Sequence, residues 1–178
     1  MSLTVLIGPP GVGCSAVAQA LANQLGANLV DVGCTVAQRL GVDPNFAIAQ
    51  VGEERYRSCE ADVFKLSLSA PQAGAQVVAA GSGWINTPGL AQVLAQSKAQ
   101  VICLSAVDAV LAQRNGLNVP RSAALGTVRR DFLLAAHERL SQCRALASLE
   151  IDTSKKLPEQ VAAEIMTHLK DADARKYA

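Results

Sequence analysis

The sequence predicts a parallel α/β fold, a sheet with helices on both of its faces. Three observations lead there. Short apolar runs of four to six residues recur along the chain, as buried parallel strands require. Between them apolar residues fall at helical spacing. The first run also ends in a glycine-rich stretch, GPPGVGCS (8–15), that opens a helix.

The elements follow in order. LTVLI (3–7) is a fully apolar strand ending at Gly8. From Ser15 to Leu25, Val17, Ala18, Leu21 and Leu25 lie on one helical face, and Gly26 ends the helix by allowing a left-handed cap. NLVD (28–31) is a second strand, and GEERYRSCEADVFKLSLS (52–69) has helical spacing with charged early turns. QVVAA (76–80) and QVICLS (100–105) are two further buried strands, each followed by a helical segment. Residues 115–127, with Gly, Asn and Pro, read as a mobile loop. A long helix is expected from about 128 to 146, then strand LEID (149–152), then a helix near 158–170 with Pro158 in its first turn. The tail 171–178 is polar and expected to fray. Five strands separated by helices make a parallel sheet covered on both faces.

Composition narrows the function classes. The 178 residues suit one domain spanning 1–178. Half are hydrophobic but only 3% aromatic, so Ala, Val and Leu must fill the core. Sixteen basic against fifteen acidic residues give a net charge of +1, which argues against a nucleic-acid surface of the usual basic kind. No apolar run is long enough to cross a membrane, and the first strand begins at Leu3. Five cysteines without a CxxC pair fit a reducing compartment. The expectation is a cytoplasmic monomer without nucleic-acid or membrane partners, a protein partner remaining open.

The opening loop carries the first functional signal. It fits the phosphate-cradling pattern G-x-x-x-x-G-K-[ST] at every position but one, where Cys14 stands for the lysine. Gly8, Gly11, Val12 and Gly13 would present backbone N–H groups to an anion at the positive end of the helix. Ser15 stands where a hydroxyl would ligand Mg²⁺. A glycine-rich turn with no ligand is the other reading.

Three further segments, in the same order along the chain, give a resemblance. GEERYRSCE (52–60), GSGWINTPG (81–89) and IDTSKKLPE (151–159), together with the loop, resemble the shikimate kinase family of small P-loop kinases over nearly all of residues 3–170. The resemblance implies a three-layer α/β/α P-loop fold with a five-stranded parallel sheet of order 2-3-1-4-5 and a lid at about 115–127. It implies ATP and Mg²⁺ as cofactors, and phosphoryl transfer to the 3-hydroxyl of shikimate. Arg57 and Arg139 match the arginines that pair with the substrate carboxylate, a bidentate clamp suited to guanidinium groups. Glu60, one turn from Arg57, would orient it, and Gly81, Ser82 and Gly83 match the substrate-side glycine loop. Asp31 matches the strand-end aspartate that reaches Mg²⁺ through water. Arg114 and Lys155 fall on the nucleotide side. A solvated ion pair for Arg57 and Glu60, a surface position for Arg139 and a helix cap for Asp31 are the bland alternatives.

Departures from the family pattern are equally legible. Cys14 replaces the P-loop lysine, and Gly33 replaces an aspartate that contacts the shikimate hydroxyls and is the candidate base. Arg121 follows Pro120, the reverse of the family's lid order, and matches the lid cation only loosely. Trp84 stands where the family has a small residue, either packing or narrowing the pocket. The expected consequence is an impaired kinase. The alternatives are a non-catalytic protein binding a ligand or partner, and an active kinase with a substitute cation or, against Arg57, Glu60 and Arg139, a gluconate-type specificity. Cys14, Cys34 and Cys59 are expected around one cleft, where free cysteines usually serve as buried small hydrophobes; the other reading is a redox-sensitive or soft-metal site, with the Cys14 pKa lowered at the helix N-terminus. His137 and His168 read as helix-surface residues.

Overall fold

The computed structural model describes residues 3–69, 74–81, 83–117 and 123–174. Five strands, β1 (Leu3–Ile7), β2 (Asn28–Asp31), β3 (Gln76–Ala79), β4 (Gln100–Ser105) and β5 (Leu149–Asp152), form one sheet. All pairs are parallel and the order is β2-β3-β1-β4-β5, as the resemblance implies. β1 is central, with Val5 beside Val78 on one side and Val101 on the other.

Alternation along each strand divides the core into two layers. Leu6, Val77, Ile102 and Leu104 face α1 (Cys14–Leu25) and α8 (Pro158–Ala174), packing on Leu21, Val161 and Ile165. Val5, Ile7, Val78 and Cys103 face the opposite side, against Phe64 of α4 (Glu53–Ser69) and Leu90 and Leu94 of α5 (Leu90–Gln96). The longest helix, α7 (Ala123–Leu146), gives Ala136 to the first layer and Leu140 and Cys143 to the second.

Two helices lie where the sequence shows no clear period. α2 (Val32–Leu40) is rich in residues of modest helix propensity, and its ends hold it. The Asp31 side chain accepts a hydrogen bond from Cys34 N (3.0 Å), and Gly41 closes the other end at φ 68°. α3 (Ala47–Val51) is a single short stretch before Gly52. α6 (Asp108–Arg114) follows β4.

The region read as a loop at 115–127 is in part helical, because α7 begins at Ala123 rather than near 128. Its middle, 118–122, with Pro120 and Arg121, lies outside the described residues, as does Ser82. α8 continues to Ala174, four residues into the stretch expected to fray, and 175–178 lie outside the description.

Candidate functional site

The glycine-rich loop joins the C-terminal end of β1 to the first turn of α1, at the edge where ligands of open α/β sheets bind. Gly13 occupies the N-cap of α1 at φ 102°, a backbone conformation that a side chain would strain. Behind the loop its carbonyls are held by side chains. Asn115 Nδ2 donates to Pro10 O (3.2 Å), and Arg114 Nη1 donates to Gly11 O (3.2 Å) and Val12 O (3.1 Å). Thr153, at the end of β5 and buried, donates from Oγ1 to Val12 O (2.9 Å). Arg114 also donates to Thr153 Oγ1 and Thr153 O, each at 3.1 Å. With the carbonyls tied from one side, the N–H groups of the first turn, which have no intrahelical acceptor, face the other.

That other side is a cavity of about 450 Å³ lined by residues 8–16, Asp31, Gly33, Tyr56, Ala80 and Gly81. The sequence candidates Gly8, Gly11, Val12, Gly13, Cys14, Ser15, Asp31, Gly33 and Gly81 thus meet around one space. Ser15 is exposed there. Asp31 Oδ1 is engaged in capping α2, so the bland reading of this residue holds for that oxygen.

Cys14 corrects an expectation. Its thiol packs partly against the first core layer, and burial, with smaller contributions from Cys103 and Asp31, pushes its pKa up to about 12. The helix N-terminus does not create a reactive thiolate, because desolvation outweighs it. Of the three cysteines, Cys14 lines the cavity beside the loop. Cys59 lines a different cavity with Arg39 and Asp62, and Cys34 is exposed on α2. Among the described residues no three His, Cys, Asp or Glu side chains are grouped to hold a metal ion.

Arg57 and Glu60 sit one turn apart on α4 and bond at 2.9 Å. Glu60 is only 1% exposed, which separates this pair from a solvated surface bridge. Burial works against the Arg57 charge, but the hydrogen bond and field of Glu60 outweigh it and raise the Arg57 pKa. Two glycines make room for the pair. A Cβ on Gly81 would collide with Glu60 Oε1, and one on Gly83 with the Arg57 guanidinium. Arg57 faces a second cavity of about 500 Å³ with Glu53, Gly83, Asn86 and Thr87.

Trp84 does not narrow either cavity. It is 1% exposed and packs on Phe64 with ring centroids 5.0 Å apart. Arg139 lies half-buried on α7 without a hydrogen-bond or ion-pair partner among the described residues, and it lines neither of these two cavities. Lys155 is exposed beside Thr153. His137 is on the surface of α7, 2.7 Å from Asp108 Oδ1, and His168 is half-buried on α8. Sequence reasoning assigned no part to Thr153, Asn115 or the Tyr56 hydroxyl. The Asp-Thr pair at the end of β5 is the signal that points to the first, and nothing local marks the others.

A glycine-rich loop between the central strand and its helix, in a parallel sheet of this order, defines a P-loop kinase of the small-molecule type. Residues 10–170 match the family model for shikimate kinase. The shikimate kinase of Thermobifida fusca is 34% identical over 167 residues, 94% of each chain. That of Mycobacterium tuberculosis (strain ATCC 25177 / H37Ra) is 30% identical over 166 residues, 93% of this chain and 92% of the relative. The chain belongs to the shikimate kinase family. Among solved structures, shikimate kinase from Acinetobacter baumannii in complex with shikimate superposes with a TM-score of 0.79 at 24% identity, covering 97% of this chain and 94% of that one. A gluconokinase from Sinorhizobium meliloti 1021 follows at TM-score 0.65 and 18% identity, covering 99% and 97%, and shares the fold.

Proposed function

We propose that this chain binds shikimate, or a hydroxy-carboxylate of the same class, at Arg57 and a nucleotide at the P-loop, and that it transfers phosphate between them very slowly. The observation that carries the reading is the pairing of a well-built scaffold with missing chemistry. The loop carbonyls are pinned, Arg57 is set by a buried Glu60, and yet the cavity beside the loop offers a neutral thiol at position 14 and no side chain at 33.

ATP fits the loop in part. The fixed N–H groups and the helix end suit phosphate oxygens, and Gly8, Gly11, Val12, Gly13 and Ser15 would hold them, with Arg114 and Lys155 on the outer nucleotide side. What is lacking is a cation at position 14. Mg²⁺ fits too, since it keeps several waters and needs few protein ligands; Ser15 and the second oxygen of Asp31 would supply these. When bound, the metal and nucleotide supply the phosphoryl group and neutralise charge on it. Arg57 and Arg139 would orient the acceptor carboxylate, and Gly81, Ser82 and Gly83 would let its ring approach the backbone.

Magnitudes set the expected rate. Kinases turn over at about 1–100 s⁻¹. Loss of one preorganised donor costs about 10²–10³, and loss of a general base about 10²–10⁴. Effects in one transition state do not add strictly, but either loss alone is crippling. Arg114 is poorly placed to substitute, because its guanidinium is committed to four hydrogen bonds on the carbonyl side of the loop.

Calorimetry tests the reading, with shikimate and ATP·Mg²⁺ titrated separately. Shikimate should bind, and Arg139→Ala should abolish that binding. If no hydroxy-carboxylate binds or shifts the melting temperature, the two arginines are structural and the chain is a partner-binding relative without an acceptor site.

A further inference from the structure

Position 33 is empty of a side chain, but the space beside it is not empty of polar groups. A Cβ built on Gly33 would lie 3.9 Å from the Tyr56 hydroxyl and 3.5 Å from Asp31 Oδ1. Both contacts are ordinary, so the position tolerates a side chain, and Gly33 lies on α2 without a positive φ. An aspartate carboxylate extends one carbon beyond that Cβ, so it and the phenol oxygen would be near neighbours at this point of the cavity. Tyr56 lines the cavity together with Gly33, Asp31 and Gly81. Its backbone is fixed on α4 by a bond to Gly52 O (3.1 Å), and its ring lies against Arg57, with Cζ 5.5 Å from the ring centroid.

We infer that the Tyr56 hydroxyl is the specificity-determining contact to the acceptor's ring hydroxyls, taking the place that the family pattern gives to an aspartate at position 33. The inference rests on the acceptor reading above. A phenol both donates and accepts one hydrogen bond, so it can orient a hydroxyl group as a carboxylate would. It cannot take the proton. Burial, then the nearby Glu60 carboxylate, raises the Tyr56 pKa and keeps the phenol neutral. The exchange of carboxylate for phenol therefore separates recognition of the acceptor from activation of it. Substrate would be held in register beside the loop with its hydroxyl still protonated.

Calorimetric titration of shikimate into four proteins tests this: wild type, Tyr56→Phe, Gly33→Asp and the double variant. One neutral hydrogen bond lost predicts that Tyr56→Phe weakens binding about three- to tenfold in the wild-type background. In the Gly33→Asp background the same change should cost about twofold or less, because the carboxylate then makes the contact. The melting temperature of Tyr56→Phe should stay within about 3 °C of wild type, since the ring and its packing remain. Equal affinity of wild type and Tyr56→Phe overturns the inference while leaving the acceptor reading intact. An equal loss in both backgrounds overturns it as well, by showing that the two groups do not share one contact. Binding by Gly33→Asp but not by wild type shows that the phenol does not replace the carboxylate. If none of the four binds shikimate, the acceptor reading fails, and this inference with it.

Discussion

Cys14 puts a thiol at the centre of the loop, where the P-loop pattern has a lysine. The loop keeps its glycine conformations and its supports, while the group at its centre is a thiol that burial holds protonated to a pKa of about 12. A neutral thiol gives no charge to a polyphosphate. A charge-assisted hydrogen bond is worth ~1.5–3 kcal/mol, so Cys14→Lys should tighten ATP binding at least tenfold in calorimetry. Equal affinity in both proteins would place position 14 away from the phosphates. Protonation has a second consequence, since the thiolate is the nucleophile. At pH 8 alkylation of Cys14 by iodoacetamide should be slower than that of exposed Cys34, as mass spectrometry of the labelled peptides would show. For Cys14 the thiol form persists as pH rises toward 12, so its labelling rate should climb only well into the alkaline range. Trp84 belongs to the same scale. Its pairing with Phe64 in the core removes it as an obstacle to ligands, and no residue count in the sequence distinguishes a packed tryptophan from a protruding one.

Elements position these residues through contacts between chain segments far apart in sequence. The P-loop is held by α6 and by the turn after β5, through Arg114, Asn115 and Thr153. Thr153 is 2% exposed and ties the loop to the end of β4 as well, its Oγ1 lying 3.2 Å from Ser105 O. Thr153→Val keeps the shape and removes the hydroxyl, so it should cost about 1 kcal/mol of stability, read from the urea midpoint, and should weaken ATP binding as the loop loosens. On the acceptor side, α4 supplies both Tyr56 and the Arg57–Glu60 pair. Removing Arg57 leaves a carboxylate buried without its partner, a change that typically costs ~3–5 kcal/mol. Arg57→Ala should therefore lower the melting temperature clearly, whereas a solvated pair would be lost with little effect. The strands are legible in sequence because each is a short apolar run closed by a turn residue. α2 is not, because Val32, Gly33, Thr35 and Val36 are weak helix formers and the helix depends on the Asp31 cap and on burial of Val36 and Ala37. The start of α7 at Ala123 is similarly masked by the Gly and Pro of the preceding stretch.

At the scale of the whole molecule, the parallel sheet of order β2-β3-β1-β4-β5 brings the ends of β1, β2 and β3 to one edge. The loop after β1, Asp31 at the end of β2 with Gly33 beyond it, and Gly81 after β3 meet there around the cavity. The sequence motifs name most of these residues because their types are dictated by local geometry or chemistry. The supports behind the loop and the Tyr56 hydroxyl beside Gly33 escape such reading, since they arise from packing between α2, α4, α6 and β5 that no local pattern encodes. What this assembly lacks is a cation at 14 and a carboxylate at 33. A coupled assay of ADP release with ATP·Mg²⁺ and shikimate, run on wild type, Cys14→Lys, Gly33→Asp and the double variant, reads the effect of both absences on phosphoryl transfer. A slow kinase is expected, with wild-type turnover below ~10⁻² s⁻¹ and recovery in the double variant that exceeds either single change, because both groups act in one transition state. Turnover of ~1 s⁻¹ or more by the unmodified protein would contradict that expectation.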